Sequence, residues 1–363
     1  MSHTQYMAQA IALAKKGLYS TDPNPRVGCV LVKDGEVVGE GYHQKAGEGH
    51  AEVNALRAAG DLAKGATAYV TLEPCSHFGR TPPCSDGLIK AGVHEVVCAM
   101  QDPNPQVAGQ GFAKLEAAGI KVTKGVLEEQ ARLLNPGFIK RMETGMPFVR
   151  LKMASSLDGR TAMQSGDSKW ITGPAARADV QRLRARSSAI ISGISSILHD
   201  DSSLTVRAKE LGFEDQEFSE FVANRQPLRV ILDSQGRLPK QAKVLQQRGE
   251  TLVAVKHGVQ VHVGIDVLPL NADESGLDLR ALLKELANRQ CNEILVETGA
   301  TLAGQFIDKG LVDEMVLYMA PSFMGSEARP LLHLPINDMA EKHSLNIVDT
   351  RMVGDDIRLT IKF

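Results

Sequence analysis

The chain has no basic tract and few aromatic side chains: aromatics are 4% of 363 residues, and the formal net charge is -2. A nucleic-acid binder usually shows a basic stripe or a stacking platform, so this composition weighs against an enzyme that works on tRNA or DNA. No apolar run approaches the roughly 20 residues of a membrane span, and the opening Met1-Ser2-His3-Thr4-Gln5-Tyr6 does not read as a signal peptide. The five cysteines are an odd number, and Cys29 and Cys98 fall in apolar, strand-like runs. A disulfide framework is therefore not expected, and a reducing cytoplasm is the expected location. No G-x-G-x-x-G follows any predicted strand, which leaves a Rossmann dinucleotide site unsupported. No internal repeat links the halves. Hydrophobic residues at 43% and charged residues at 23% suit a globular protein, and the length suits two domains.

The first half alternates helix and strand signals. Apolar Met7, Ala10, Ile11 and Ala14 predict a helix over 4–16, with Thr4 as a cap and Gly17 as a stop. The run from Val27, the Asp34-Gly35 turn and Glu36–Gly39 read as a hairpin. Helices follow at 50–59, 84–91, 111–118 and 127–140, with strands at 66–72, 94–100 and 120–123. The alternation predicts an α/β domain with helices on both faces of a mixed sheet. Pro147 breaks the last helix, so the expected boundary gives domains 1–145 and 146–363. The second half is also α/β, with strands at 148–153, 188–192, 228–233, 251–255, 293–297 and 313–319. Its helical patterns lie at 174–186, 278–289 and 301–309, and the polar stretch 208–226 reads as a solvated insertion.

The chemistry concentrates in His50-Ala51-Glu52, Pro74-Cys75 and Cys84. A histidine and two thiolates hold zinc at three corners, and catalytic zinc keeps the fourth for water. His77 competes with Cys84 for the third corner, and Cys84 is favoured. Glu52 is placed beside the open position as a proton shuttle rather than a ligand. Zinc nucleobase deaminases carry H-x-E…P-C-x-x-C with this division of roles. This chain departs in one respect: Phe78 stands three residues after Cys75, and the second cysteine waits until Cys84. A structural zinc would normally have four protein ligands; three good candidates and a Glu favour catalysis.

The segment Pro74-Cys75-Ser76-His77-Phe78-Gly79-Arg80-Thr81-Pro82-Pro83-Cys84 closely resembles the bifunctional deaminase/reductase family of riboflavin biosynthesis. The likeness continues in Pro23-Asn24-Pro25, Gly41-Tyr42-His43 and Gln101-Asp102-Pro103-Asn104-Pro105. It extends through Lys152–Ala162, Ser168–Thr172, His199–Arg207 and Val296–Leu302, so it covers nearly the whole chain. The resemblance implies a cytidine-deaminase-like α/β/α domain followed by a dihydrofolate-reductase-like α/β domain. It implies zinc-dependent deamination of a phosphoribosylaminopyrimidine, then NADPH-dependent reduction of its ribosyl chain to ribityl. A deaminase with a silent reductase-like half is the competing reading, and the retained second-half motifs argue against it.

By residue, the resemblance carries over His50, Cys75 and Cys84 as zinc ligands and Glu52 as the acid/base. Asn24, His43, Arg80, Asp102 and Asn104 stand at substrate positions, although both Asn-Pro pairs also suit turns and His43 also suits a core. In the second half, Ala154, Trp170, Ser196, Asp200 and Ser234 stand at cofactor positions. Gly299, Ala300, Thr301, Leu302, Ala303, Gly304 and Gln305 join them, between a strand and a helix whose first N–H groups suit phosphates. Ser168, Arg184, Leu204, Arg207 and Glu297 stand at substrate positions, the arginines being suited to a phosphate. Lys152 and Glu297 are candidates for ring opening or proton supply; Lys152 also suits a structural ion pair, and Arg184 a solvated helix face. The family implies a homo-oligomer, dimer or tetramer, joined through the reductase domain, with no nucleic-acid or membrane partner.

Overall fold

A computed structural model describes residues 2–78, 82–105, 107–261 and 264–363. The chain divides into two compact units, Met1–Met146 and Pro147–Phe363.

The first unit runs α1 (His3–Lys15), β1 (Gly28–Lys33), β2 (Glu36–Tyr42), α2 (Ala51–Ala59), β3 (Thr67–Val70) and α3 (Cys84–Ala91). It continues with β4 (Glu95–Cys98), α4 (Gln110–Ala117), β5 (Lys121–Lys124), α5 (Glu128–Arg132) and α6 (Pro136–Thr144). The sheet order is β2-β1-β3-β4-β5. β1 is antiparallel to β2 and β3, and β3, β4 and β5 are parallel. Side chains on a strand alternate between faces, and β1 shows the result. Val30 and Val32 join Met7, Ala10, Ile11 and Ala14 of α1 with Ala131, Leu134 and Ile139. Cys29 and Leu31 join Ala51, Ala55 and Ala59 of α2, Leu88 of α3 and Leu115 of α4. The result is a three-layer α/β/α unit.

The helix expected over 127–140 is two helices. α5 stops at Arg132 and α6 restarts with Pro136 in its first turn, where a missing N–H costs nothing. Asn135, between them, is held by Arg26: the Arg26 N–H donates to its Oδ1 at 2.7 Å, and its Nδ2 donates to the Arg26 carbonyl at 2.9 Å. That tertiary tie outweighs the helical period.

The layer that carries α2 is thin because of two glycines on β2. A Cβ on Gly41 would stand 2.4 Å from the Ala51 oxygen and the Ala55 nitrogen, and one on Gly39 would stand 2.4 Å from the Ala55 oxygen. With alanines at every fourth position, α2 lies directly on the strand.

The second unit holds a nine-stranded sheet. Its order is Asp266–Leu270, Thr251–Lys256, Leu228–Leu232, Ala189–Gly193, Glu293–Glu297, Phe148–Ser156, Glu314–Ala320, Asp356–Lys362, Asn346–Val353. The first seven strands are parallel; the last two form an antiparallel hairpin on the edge. One apolar cluster packs Val180, Leu183, Ile190, Ile194, Ile231, Leu295 and Tyr318 around the sheet. Charge is buried at the amino ends of the central strands: Arg150 pairs with Glu293 at 3.0 Å and Glu314 at 2.5 Å, and Arg186 reaches Glu293 at 3.0 Å.

The stretch 208–226 is not simply solvated. It contains the helix Gln216–Asn224, capped by the Asp215 side chain on the Phe218 N–H at 3.0 Å, with Leu211, Ser219 and Val222 buried. The edge hairpin, the strand Asp266–Leu270 and the helix Ile194–Asp200 had no counterpart in the sequence reading. Asn346–Val353 is mostly exposed along its length, so it lacks the half-buried alternation that marks a strand. Among the described residues, no helix is long and apolar enough to cross a membrane.

The glycine contact is testable. Gly41→Ala must push α2 off the sheet, and overpacking of this kind costs about 1–3 kcal/mol. A lower urea midpoint with an unchanged m-value is the expected outcome.

Candidate active sites

Three elements of the first unit converge. His50 is the N-cap of α2, Glu52 lies in the first turn of that helix, and Cys84 opens α3. Cys75 follows the end of β3. His50 Nδ1 stands 3.2 Å from Cys84 Sγ and 3.7 Å from Cys75 Sγ, and the three ligand atoms lie within 4.8 Å of one another. Zn–S bonds of about 2.3 Å and Zn–N bonds of about 2.0–2.1 Å in a tetrahedron set ligand separations of about 3.6–3.8 Å. The cluster fits zinc without rearrangement of the chain. The Cys84 N–H donates to Cys75 Sγ at 3.3 Å. Hydrogen bonding from Cys84, against burial, and the His50 contact pull the Cys75 thiol down, whereas the same Cys75 contact and burial push Cys84 up. One thiolate is thus already favoured, the form a metal requires. His77 is exposed and outside this cluster, so Cys84 is the third ligand.

Glu52 is buried at 3% exposure beside Cys75 and Cys84. Burial, with the Cys75 charge behind it, pushes Glu52 up to about 7. Asp102 is buried and pushed up to about 6 by desolvation, and its Oδ1 accepts the Asn104 N–H at 2.8 Å. His43 is buried with both ring nitrogens engaged. Asn24 Nδ2 lies 3.2 Å from Nε2, and the Gly49 carbonyl lies 3.2 Å from Nδ1. This pattern makes Nδ1 the protonated nitrogen. Burial holds the ring neutral, and it stands edge-on to His50 with centroids 5.3 Å apart. It therefore packs directly against the His50 ring. Arg80 lies outside the described residues. The sequence reading passed over Glu73, whose buried carboxylate accepts four main-chain N–H groups; an acid ending a fully buried strand was the available signal.

In the second unit, the candidates gather at the carboxyl ends of four neighbouring parallel strands. Ala154 lies on Phe148–Ser156, and Ser196 follows Ala189–Gly193. Ser234 follows Leu228–Leu232, and Gly299 caps the helix after Glu293–Glu297. Open parallel sheets bind ligands along this rim. Lys152 and Glu297 are register partners on adjacent strands. Arg184 holds Glu297 bidentately, Nε to Oε1 at 2.6 Å and Nη2 to Oε2 at 2.8 Å, and donates to the Thr205 carbonyl at 3.1 Å. Burial pushes the Glu297 carboxyl up, but Arg184 and Lys152 outweigh it and hold the group below the usual range. Burial lowers the Lys152 ammonium, opposed by Glu297.

Arg184 is therefore not on a solvated helix face but part-buried against Glu297. Arg207 is likewise engaged, donating to Glu210 at 2.5 and 2.6 Å. Leu204 is buried at a positive φ of 51°. Trp170 is 70% exposed beneath the Arg177 guanidinium, 4.7 Å from its ring centroid. Beside it, Lys169 Nζ donates to the Asp200 carbonyl at 3.2 Å, which brings the Ser168–Trp170 stretch to Asp200. The 299–305 segment divides. The first-turn residues Ala300, Thr301 and Leu302 follow the Gly299 cap, but the Ala303 N–H already bonds to the Gly299 carbonyl at 3.1 Å. Gly304 is pressed against the His333 carbonyl, and the Gln305 amide donates to the Ser275 carbonyl. Those last three residues build the helix seat.

A His/Cys/Cys cluster suited to zinc beside a buried glutamate marks the first unit as a zinc-deaminase type, and the second is a parallel-sheet unit with a charged cluster on its carboxyl rim. Residues 1–100 match the cytidine and deoxycytidylate deaminase zinc-binding region, and residues 147–359 match the RibD C-terminal domain. The riboflavin biosynthesis protein RibD of Escherichia coli (strain K12) is 51% identical, over 99% of this chain and 99% of its own. The RibD of Acinetobacter baumannii superposes with a TM-score of 0.91 at 49% identity, covering 99% of this chain and 98% of that one. A diaminohydroxyphosphoribosylaminopyrimidine deaminase/5-amino-6-(5-phosphoribosylamino)uracil reductase of Thermotoga maritima superposes with a TM-score of 0.86 at 34% identity, covering 99% of this chain and 98% of that one. The chain belongs to the RibD family of bifunctional deaminase/reductases of riboflavin biosynthesis. Its first unit is cytidine-deaminase-like, its second is dihydrofolate-reductase-like, and the reductase domain implies a nucleotide cofactor.

Two outcomes follow from this geometry. Cys84→Ala removes one of three ligands, so metal analysis of the purified variant should find zinc well below stoichiometric. Arg184→Met strands the Glu297 carboxylate, and breaking a buried pair costs about 3–5 kcal/mol at pH 7. Glu297 titrates below its unfolded value in the wild type, so its stabilisation is whole above pH of about 4.3 and lost as pH falls through the folded value. Urea titrations should show the gap between wild type and variant shrinking in acid.

Proposed function

We propose that the first unit deaminates 2,5-diamino-6-(5-phosphoribosylamino)pyrimidin-4(3H)-one to 5-amino-6-(5-phosphoribosylamino)uracil. The second unit then reduces the ribosyl chain with NADPH to give 5-amino-6-(5-phosphoribitylamino)uracil. The observation that carries the first step is the His50–Cys75–Cys84 cluster with Glu52 against it and no fourth protein ligand among the described residues. Zinc held by His50, Cys75 and Cys84 would supply an acidified water, with a pKa of about 7. Glu52 takes the proton from the attacking water and delivers it to the departing amine, which leaves as ammonia. Asp102 and Asn104 hold the pyrimidine edge, with Asn24 nearby on the His43 side. His43 acts from behind, steadying His50.

The second step rests on the cluster of Lys152, Glu297 and Arg184 at the carboxyl rim. The cofactor supplies the hydride, and Lys152 and Glu297 supply and steady the accompanying proton on the sugar oxygen. Ala154, Ser196, Ser234 and the N–H groups of Ala300, Thr301 and Leu302 form the cofactor's cradle, the last three facing its phosphates. Trp170 and Asp200 close its side, and Ser168, Leu204 and Arg207 line the substrate's. The shared site of Lys152 with Glu297 favours a working reductase over a silent half.

Self-association belongs to the same reading. The outer strand Asn346–Val353 presents Ile347, Val348 and Met352 at 52%, 46% and 62% exposure on an open sheet edge. Proteins rarely leave such an edge uncovered, and a second copy of the chain is the partner that fits. Light scattering should give a mass of at least twice 39.2 kDa.

The activity is tested by mass spectrometry of the product from zinc-replete protein. Without NADPH the diaminopyrimidine should exchange an amine for oxygen, and with NADPH it should gain two hydrogens as well. Glu52→Gln should keep its zinc and lose about 100-fold or more of the deamination rate. Undiminished deamination by that variant overturns the role given to Glu52.

A further inference from the structure

We propose that Glu73 is the positioning residue of the deaminase site, setting the distance between the zinc-binding thiols and the loop that holds the pyrimidine. It rests on the reading that Asp102 and Asn104 contact substrate.

Glu73 sits two residues before Cys75 and is 3% exposed. Its Oε2 accepts the N–H groups of Asp102 at 3.2 Å and Gly109 at 3.0 Å. Those two residues begin and end the loop, so a single oxygen pins both of its ends. Its Oε1 accepts the N–H groups of Gly111 at 2.9 Å and Phe112 at 3.3 Å. These belong to the first turn of α4, whose N–H groups have no partner within the helix. Glu73 therefore caps α4 from the segment that follows β3, and the helix dipole favours its negative charge. Hydrogen bonds join the described residues between. The Asn104 N–H donates to Asp102 Oδ1 at 2.8 Å, and the Val107 and Ala108 N–H groups donate to the Asn104 carbonyl at 2.8 and 2.9 Å. Asp102 and Asn104 are thus tied to each other and, through the Asp102 N–H, to Glu73.

A second contact locks the same junction. A Cβ on Gly111 would stand 2.0 Å from the Pro74 oxygen, so the start of α4 touches the residue that precedes Cys75. The Glu73 N–H donates to the Met100 carbonyl at 3.0 Å, joining the strand ends beneath. Glutamine cannot replace the carboxylate here. Its amide has two donors of its own, and turning them toward main-chain N–H groups leaves buried donors without acceptors.

The test uses the full chain with zinc bound. Glu73→Gln should retain stoichiometric zinc while KM for the diaminopyrimidine rises about tenfold or more, the scale of a buried donor left unpaired. Its kcat should change much less. Gly111→Ala opens the junction from the other side and should give the same signature, which keeps the proposal testable should the first variant fold poorly. Asp102→Asn, measured in parallel, reports on the loop itself. A rise in KM for Asp102→Asn with none for either junction variant overturns the role of Glu73 and leaves the loop reading standing. Loss of kcat in step with zinc content or folded fraction, at unchanged KM, marks a merely structural carboxylate and also overturns it. Unchanged KM in all three variants overturns the loop reading together with the proposal.

Discussion

The deaminase site depends on how closely α2 lies on the sheet. Ligand atoms must come within about 3.6–3.8 Å of one another to share a zinc, and His50 arrives on a helix while Cys75 arrives on a strand end. Gly39 and Gly41 let the α2 backbone descend to the β2 backbone, with the alanine stripe Ala51, Ala55 and Ala59 completing the contact. Larger residues at these positions would be as hydrophobic and would bury as much area. They would also lift His50 and Glu52 together, because both belong to the start of one helix. The small side chains in this layer therefore serve geometry before stability, and the apolar face toward α1, with Met7, Ile11 and Tyr69, carries larger groups.

The second unit separates two uses of charge along one strand. Arg150 lies toward the amino end of Phe148–Ser156, buried between Glu293 and Glu314. Lys152 lies two residues on, beside Glu297. Alternation puts both on the same face, so position along the strand decides their roles. At the amino end the charges satisfy one another and are closed from solvent. At the carboxyl rim helices leave the sheet, and their first-turn N–H groups face outward. Arg184 links these roles: it is nearly buried and fully engaged, yet what it holds in place is a carboxylate on the reactive rim.

The zinc cluster was legible in the sequence because its chemistry tolerates few residue types at few spacings, and His50, Glu52, Cys75 and Cys84 meet as expected. The alternation of elements was legible for the same kind of reason, since buried strands and amphipathic helices have distinct periods. What escaped depended on contacts between distant parts of the chain. Nothing local to Asn135 announces its tie to Arg26, and so the helix from 127 was read through its break. Arg184 reads as one more charge on a basic helix until the strand that ends in Glu297 is placed beside it. His43 was left between substrate and core, and only the positions of Asn24 and Gly49 show both its nitrogens occupied. The hairpin at the edge is mostly exposed on its outer strand, so neither burial nor alternation marks it.

The delayed cysteine has a structural meaning. In the H-x-E…P-C-x-x-C signature only two residues separate the paired thiols. Here Cys84 opens α3 and is buried with that helix's Leu88, while Cys75 lies in the segment that follows β3. The metal corner is thereby tied to two elements rather than one, and the α3 N-terminus favours the thiolate charge gathered beside it. The Cys84 N–H on Cys75 Sγ is that favour in atomic form. Lengthening the spacing leaves the tripod intact and makes its rigidity a property of helix and sheet packing. Among the described residues between the cysteines, His77 and Phe78 are exposed and stand outside the cluster, so the metal corner rests on Cys75 and the start of α3.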